Sequence, residues 1–136
     1  MKHSFFHQHL QFTRSFTKKL NEHLAEVGLY HSQWLMVYYL KQHETSTLIE
    51  ISSYLAVEKP TISRTAKRLE EQQLIEKIPS KDKRERRIRL TEKGIKVYEE
   101  ALQVVSNFEQ ELMDGISEED KETSLRTIQL LRGKLK

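Results

Sequence analysis

The sequence has no cysteine, few glycines and no long apolar run. The chain of 136 residues contains four glycines and two prolines. Without cysteine, disulfides, thiolate catalysis, thiol redox sensing and thiolate metal sites are all excluded. No segment approaches the roughly 18 consecutive apolar residues of a membrane-spanning helix. The first ten residues, "MKHSFFHQHL", also lack the apolar core of a signal peptide. We therefore expect a cytoplasmic protein with no membrane partner.

Motifs that would indicate catalysis or metal binding are also missing. The sequence contains no glycine-rich phosphate loop, no HExxH-like metal motif and no nucleophile–base motif. His3 and His7 have the i, i+4 spacing of a ligand pair on a helix, with His9 nearby. No acidic or cysteine ligand pattern accompanies them, so solvated histidines are the favoured interpretation. We expect neither an enzyme, nor a cofactor, nor a metal site.

Charge is distributed unevenly along the chain, although the net charge is only +3. Residues 58–91 contain 11 lysines and arginines against 6 acidic residues, whereas residues 97–136 contain 5 against 9. A basic middle segment suggests a local face for a polyanion, with ordinary surface charge as the alternative. The apolar fraction of 37 % is low for one compact globule, so an elongated shape or a second subunit is expected.

Helical periodicity dominates both ends of the chain. Large apolar residues recur at helical spacing from Phe6 to Val27, and Gly28 follows as a stop signal. Ser32 is a candidate cap for a second helix, "QWLMVYYLKQH". The helical period returns from Thr91 to Gly115, and a last helix is predicted from Ser117 onward, with an aspartate three residues later as in a capping box.

The middle of the chain indicates a helix-turn-helix followed by a β-hairpin. Thr47 can cap a short helix, and Pro60 suits the first turn of the next one. Ile62, Ala66 and Leu69 supply the buried face of that second helix, which leaves its polar and basic residues outward. The segments "IEKI" and "RRIRL" then alternate as strands, joined by "SKDKRE". This pattern predicts a mainly α fold with a small β-hairpin, a winged helix-turn-helix.

Two segments make the chain similar to the MarR family of bacterial transcriptional regulators. The first, "PTISRTAKRLEEQQLIEK", resembles the family's recognition helix and first wing strand. The second is Asp82-Lys83-Arg84 followed after five residues by "LTEKG", which matches the family's wing and the entry to the next helix. The resemblance covers essentially the whole chain, 1–136. It implies a winged-helix lobe over about 32–91, dimerisation helices over about 3–27 and 92–135, and a homodimer on a pseudo-palindromic operator in double-stranded DNA.

Two positions depart from the family pattern. Ala56 stands in the helix-turn-helix turn where the family often has glycine, and Gln73 replaces a frequent glycine before "LI". Both positions commonly favour a left-handed backbone. Either these turns differ in conformation, or the chain tolerates a small strain there.

The second helix of the helix-turn-helix carries the main DNA-binding candidates. Only its N-terminal half reaches base edges in a major groove, where short polar and cationic side chains are needed. Thr61, Ser63 and Arg64 lie in that half, and Arg64 is the candidate for a bidentate contact with guanine. We expect phosphate contacts from the remaining cations of this segment. These are Lys59, Lys67 and Arg68.

The hairpin supplies a second group of DNA-binding candidates. By resemblance, Arg84 is the wing-tip residue that enters a narrow minor groove, and Asp82 orients it. Arg86 and Arg87 alternate across the strand, so they cannot both face DNA. We expect Arg86 to lie beside Arg84, with Arg87 as a further phosphate contact.

These observations predict a DNA-binding regulator, expected to be a homodimeric repressor. The resemblance implies release from DNA by a small ligand, here a small aromatic or phenolic effector. Trp34, Tyr38 and Tyr39 could line its pocket, although an aromatic stripe of this kind is more often core. The alternative function is a sequence-nonspecific architectural or protein-interaction module that uses the same basic face.

Overall fold

The computed structural model describes residues 4–79 and 86–136, which form helices and one small sheet. The predicted fold class, mainly α with a small antiparallel sheet, is confirmed. The chain divides into two compact units, with the boundary in the sequence between residues 106 and 107. In chain order the elements are α1 Phe5–Leu24, a 3₁₀ turn Ala25–Val27, α2 His31–His43, β1 Thr45–Thr47, α3 Leu48–Leu55, α4 Lys59–Glu71, β2 Ile75–Lys77, β3 Arg87–Leu90, α5 Glu92–Met113 and α6 Glu118–Lys134.

The sheet has three antiparallel strands in the order β1-β3-β2. Ile88 in β3 lies opposite Ser46 of β1 on one side and Lys77 of β2 on the other. The alternation in the sequence predicts β2 and β3 but not β1, because three residues are too short to show a period. The turn "SKDKRE" falls on residues 80–85, which lie outside the described part of the chain.

The core of the first unit joins α2, α3, α4 and the sheet. Met36, Val37 and Leu40 of α2 are at most 1 % exposed, as are Ile51 of α3 and Leu69 of α4. The predicted inner face of α4 is confirmed, since Ile62 and Ala66 are buried together with Leu69. Burial of these side chains fixes the rotation of α4 about its axis, and this decides which of its residues face outward.

Most predicted helix ends are confirmed. Gly28 follows the first helix with a φ of 75°, which is the left-handed conformation of a C-terminal stop. The side chain of Thr47 accepts a hydrogen bond from the Glu50 amide, and that of Ser117 accepts one from the Asp120 amide. These capping residues could be predicted from the sequence because each one binds an amide only three residues away.

The predicted cap at Ser32 is wrong. Helix α2 begins one residue earlier, at His31, so Ser32 lies inside the first turn. Two other side-chain oxygens accept the free amides at this end. Asn21 Oδ1 accepts from His31 N over 2.7 Å, and Gln33 Oε1 accepts from Tyr30 N over 2.9 Å. Asn21 comes from α1, a contact that local spacing around Ser32 does not reveal.

Ala56 and Gln73 both adopt the left-handed backbone conformation, with φ of 55° and 64°. The turns therefore keep the geometry that favours glycine, and the chain tolerates the strain, on the order of 1–2 kcal/mol at each residue. Backbone hydrogen bonds close both turns: Val57 N donates to Ser52 O over 3.2 Å, and Leu74 N donates to Leu69 O over 2.9 Å.

Each unit leaves large apolar side chains in contact with solvent. In the first unit they lie on α1 and on other helices, and in the second unit α6 has no buried residue. None of the helices that the structure describes is both long and apolar enough to cross a membrane. The exposed apolar side chains of α1 include Phe5, Phe6, Leu10 and Phe12, and those of α6 include Leu125 and Leu130.

Candidate nucleic-acid interface

Helix α4 presents a polar and basic face to solvent. Pro60 lies in its first turn, where the missing N–H removes no helical hydrogen bond. Because Ile62, Ala66 and Leu69 point inward, the predicted DNA-binding residues of this helix point away from the core. Thr61 is half-buried, and the other five are exposed: Lys59, Ser63, Arg64, Lys67 and Arg68.

The cations on α4 have no acidic partner among the residues that the structure describes. Across residues 4–79 and 86–136, no carboxylate lies within 4.0 Å of Lys59, Arg64, Lys67 or Arg68. Arg64 Nη2 donates a hydrogen bond to Thr61 Oγ1 over 3.2 Å, which orients the guanidinium along the helix without neutralising it. This face of α4 therefore offers several uncompensated positive charges to a polyanion.

The cations on the strands are, in contrast, already paired. Arg89 Nε lies 2.9 Å from Glu76 Oε1, and Lys77 Nζ lies 3.9 Å from Glu70 Oε1. Both pairs are largely exposed to solvent, where an ion pair contributes at most about 1 kcal/mol to stability. They reduce the positive charge on this side of the sheet, so α4 is the more strongly cationic element.

Arg87 is held by α3 and β1. Its Nε donates to Thr45 Oγ1 over 3.2 Å, and its Nη1 lies 3.4 Å from Glu50 Oε1. The other oxygen of Glu50 accepts a hydrogen bond from the buried Ser46 hydroxyl over 3.2 Å. Glu50 thus links α3 to the edge strand β1 and to the central strand β3. The predicted phosphate contact by Arg87 remains a prediction, but much of its hydrogen-bonding capacity is used at the base of the hairpin.

The remaining hairpin candidates are placed only in part. Arg86 is exposed immediately before β3, and its expected place beside Arg84 remains a prediction. Asp82 and Arg84 lie outside the described residues. Their roles at the tip of the hairpin therefore remain predictions.

The C-terminal end of α4 is attached to α2 through a pair of glutamines. Gln33 is only 4 % exposed, and its Nε2 donates to Gln72 Oε1 over 2.9 Å. Gln72 Nε2 in turn lies 3.4 Å from the Gly28 carbonyl oxygen. Sequence reasoning missed both residues. The available signal was Gln33 directly before the run of large apolar side chains in α2, because a buried amide needs partners.

The start of α5 also packs against the end of α4. Thr91 N donates to Leu74 O over 3.0 Å, and Thr91 Oγ1 donates to Gln73 O over 2.7 Å. A Cβ atom at Gly94 would overlap the carbonyl oxygen of Leu74. This explains in physical terms why glycine occupies the last position of the "LTEKG" segment.

A partly open cavity of about 180 Å³, lined by polar and basic residues, lies between the start of α2 and one side of α4. We call it the α2–α4 cavity. Sequence reasoning did not predict it, because its walls come from residues about 30 positions apart. It is lined by Ser32, Gln33, Thr61, Arg64, Thr65 and Arg68.

The three aromatic residues predicted to line an effector pocket belong to two clusters. Trp34 is buried and stacks on Tyr98, with 5.8 Å between ring centroids, and Tyr38 packs beside both rings. Tyr39 is also buried and stacks on His43 at 4.1 Å. Trp34 and Tyr39 are thus part of the core, whereas Tyr38 is 42 % exposed. Their contact with an effector remains a prediction.

No metal site is assembled within the described ranges. There, no group of three or more histidine, aspartate or glutamate side chains is placed so that it could hold a metal ion. His7 and His9 are exposed on α1, and His3 is not among the described residues.

Comparison with known sequences identifies related regulators. A sequence model of the MarR family matches residues 29–85. The chain is 45 % identical over 116 residues to the uncharacterized HTH-type transcriptional regulator YwoH of Bacillus subtilis (strain 168), covering 85 % of each chain. It is 37 % identical over 100 residues to the regulator SAV2265 of Staphylococcus aureus (strain Mu50 / ATCC 700699), covering 73 % of this chain and 68 % of that one.

Solved structures show the same fold. A structure of Staphylococcus aureus MarR in complex with salicylate and kanamycin superimposes with a TM-score of 0.87 at 31 % identity, covering 96 % of this chain and 89 % of that one. The S. aureus MepR–DNA complex also gives a TM-score of 0.87, over 98 % and 97 % of the two chains. At 23 % identity, this second likeness supports the fold alone.

Proposed function

We propose, from the premise that the chain belongs to the MarR family of DNA-binding transcriptional regulators, that it is a homodimeric repressor relieved by a small ligand. Each subunit would place residues 58–73 in a major groove of operator DNA and residues 82–87 in the adjacent minor groove. The observation that carries the proposal is the face of α4, with four cations that have no carboxylate partner in the described residues. Such a face suits a polyanion.

The positions along α4 support a division of roles. Thr61, Ser63 and Arg64 lie in its first half, which is the half that meets base edges when such a helix enters the groove. Arg64 would contact a guanine through two of its guanidinium nitrogens, a geometry that discriminates among base pairs. Lys59, Lys67 and Arg68 would contact phosphates and set the register of the helix on the duplex.

The exposed apolar residues support a dimer. Phe5 and Phe6 on α1 are more than half exposed, and Leu130 on α6 is 70 % exposed. A second subunit would remove such side chains from water, which stabilises the assembly by roughly 25 cal/mol per Å². The helices over about 3–27 and 92–135 would form this dimerisation region, with the winged-helix lobe at about 32–91. A two-fold symmetric dimer matches an inverted repeat whose half-sites lie one DNA turn apart, about 34–36 Å.

A small aromatic or phenolic effector would act by changing that spacing. The related S. aureus MarR was solved with salicylate, a small phenol. In this chain Trp34, Tyr38 and Tyr39 are the candidate contacts, and Tyr38 is the most exposed of the three. A ligand that favours a different distance between the two α4 helices shifts the population away from the DNA-binding form.

Selection from random duplex DNA tests the proposal. An inverted repeat with half-sites about one turn apart is the expected product, because both subunits read the same half-site. Enrichment without any common sequence would instead support the architectural alternative. Salt dependence alone does not separate the two functions, since phosphate contacts make both of them sensitive to salt.

The hairpin's contribution is tested separately with Arg84→Ala. We expect at least about tenfold weaker operator binding, roughly 1.4 kcal/mol, with little change in thermal stability. Lys41→Ala, at an exposed position near the end of α2, removes the same charge and serves as the control. Equal affinities of the Arg84 variant and the unmodified protein in a gel-shift titration at fixed salt would exclude the hairpin from DNA binding.

A further inference from the structure

We infer that the α2–α4 cavity is a binding site for one backbone phosphate of DNA, held by the Ser32 hydroxyl and the Arg68 guanidinium. The inference rests on the proposed DNA-binding function and extends it, because it assigns a DNA contact to α2, outside the helix-turn-helix. Ser32 comes from α2 and Arg68 from α4, and both line the cavity.

The chemistry of the cavity lining suits a phosphate. Its six residues provide two guanidinium groups, three hydroxyls and one amide, with no carboxylate. Guanidinium and hydroxyl groups are the side chains that most often contact phosphate oxygens in DNA complexes. A cavity of about 180 Å³ also has room for a tetrahedral anion, whereas a flat helix surface would not enclose one.

Two of the lining groups are available to bind. Thr65 Oγ1 already donates to Thr61 O over 3.0 Å, and Arg64 already donates to Thr61 Oγ1. The side chains of Ser32 and Arg68 form no hydrogen bond or ion pair with any residue that the structure describes. An arginine without an acidic partner beside a free hydroxyl is an arrangement that favours an anion.

The wall formed by α2 is held in place before any ligand arrives. Gln33, next to Ser32, uses its Oε1 for Tyr30 N and its Nε2 for Gln72. On the other side of Ser32, the His31 amide is held by Asn21 over 2.7 Å. Ser32 therefore lies between two fixed neighbours, so little conformational entropy is lost when its hydroxyl binds.

The position of the cavity suits a phosphate of the strand that flanks the major groove. Thr61, Arg64, Thr65 and Arg68 follow one side of α4 at helical i, i+3, i+4 and i+7 spacing. When α4 lies in a groove, its sides face the sugar-phosphate strands. A phosphate in the cavity would thus fix α2 and α4 together on DNA, independently of base sequence.

Three variants test the site in the full-length protein. Ser32→Ala removes the hydroxyl and is expected to weaken binding about three- to tenfold. Arg68→Ala should lower the slope of log affinity against log salt by about one. Ser32→Glu places a carboxylate beside Arg68, and we expect at least tenfold weaker binding without a lower melting temperature, since glutamate suits the first turn of a helix. Ser53→Glu, at an exposed position of α3 outside the proposed DNA-binding and dimerisation residues, has the same net charge and should change affinity less than about threefold.

A scan with methylphosphonates identifies the phosphate. Each phosphate of the selected operator is replaced singly by the neutral analogue, and affinities are measured for the unmodified protein, Ser32→Ala and Arg68→Ala. Replacement at one position should lower the affinity of the unmodified protein. The same replacement should hardly change the affinity of either variant, because each variant has already lost the contact with that phosphate. Additive losses at every position would overturn the inference. So would unchanged affinity for Ser32→Ala and Ser32→Glu.

Two further outcomes separate the possible explanations. If inorganic phosphate alone raised the melting temperature in a way that required Ser32 and Arg68, while both variants still bound DNA normally, the cavity would be a site for a free anion. That result would overturn the DNA contact. If no inverted repeat emerged from selection, the proposed function would fail, but the comparison of Ser32→Glu with Ser53→Glu can still be made on any duplex that the protein binds. The two failures are therefore distinguishable.

Discussion

Gln33 Nε2 donates a hydrogen bond to Gln72 Oε1 over 2.9 Å, and this bond joins the start of α2 to the end of α4. Gln72 continues the connection to the carbonyl of Gly28, which lies in the turn after α1. The direction of the helix with the cationic face is thus tied to the α1–α2 turn by side-chain amides. Hydrogen bonds fix direction more sharply than apolar contacts do, because they require both distance and angle.

Gln33→Ala is expected to lower the free energy of unfolding by about 1–3 kcal/mol, since it leaves the Tyr30 amide and the Gln72 side chain without this partner. Urea denaturation measures the change. Gln110→Ala, at an exposed position of α5, is the control and should change the free energy by less than about 0.5 kcal/mol. Equal effects of the two substitutions would show that the amide pair does not stabilise the fold.

Gly94→Ala should destabilise the protein by about 1–3 kcal/mol or more, because the added methyl group would overlap the Leu74 carbonyl oxygen. That carbonyl also accepts the hydrogen bond from Thr91 N, so moving it would disturb the start of α5. Gly133→Ala is the matched control, since no atom lies near its added Cβ. It should leave the melting temperature unchanged or raise it. A stable Gly94→Ala variant would contradict this packing.

Ala56→Gly and Gln73→Gly are each expected to raise the free energy of unfolding by up to about 1 kcal/mol. Both positions have positive φ, where glycine avoids the steric cost of a Cβ atom. Ala101→Gly should have the opposite effect, because Ala101 is fully buried within α5. We expect this substitution to lower the free energy of unfolding by about 1 kcal/mol or more. Thermal unfolding of the three variants tests the prediction, and destabilisation by all three would contradict it.

Arg64→Ala should weaken operator binding and relax the preference at one base pair in each half-site, by about 1–3 kcal/mol of discrimination. Affinities for operators altered at single positions measure this at fixed salt. Lys67→Ala is the control: it should weaken binding to every operator variant to a similar extent, as a phosphate contact does. Intact discrimination by the Arg64 variant would remove its assignment as a base-reading residue.

Burial lowers the pKa of His31 below its ordinary value of 6.5. Below about pH 6.5 the unfolded chain therefore binds a proton at this residue more readily than the folded chain does. The free energy of unfolding should decrease as the pH falls from about 6.5 towards the lowered pKa of His31. Well above pH 6.5 it should not depend on the titration of this residue. Comparing His31→Gln with the unmodified protein at pH 8 and pH 5.5 isolates the effect. The stability difference between the two proteins should shift in favour of the variant at pH 5.5, and an unchanged difference would contradict the prediction.

Much of the fold could be predicted from local patterns. Apolar residues at helical spacing predict α1, α4 and α5, because only one face of each helix can be buried against a core. Thr47 and Ser117 mark helix starts, because a capping hydroxyl binds an amide only three residues away. The left-handed turns at Ala56 and Gln73 could not be decided, because neither residue requires that conformation.

Features that depend on distant partners could not be predicted. Strand β1 forms because Ser46 lies opposite Ile88, more than 40 positions later. The cap expected at Ser32 failed for the same kind of reason, since Asn21 of α1 accepts the His31 amide. The residues around β1 do not indicate Ile88 as a partner, and those around the start of α2 do not indicate Asn21.

The candidate DNA-binding surface shows the same division. By itself, the sequence determined that residues 58–91 are basic and that α4 directs its polar residues outward, because charge and helical period are properties of neighbouring residues. Only the tertiary structure decided which arginines are uncompensated: Arg87 meets Glu50 of α3, whereas no carboxylate among the described residues reaches Arg68. Only the tertiary structure brought Ser32 to one cavity with Arg68. Coulomb attraction and hydrogen bonding act over a few ångströms in space, and separation along the chain does not determine that distance.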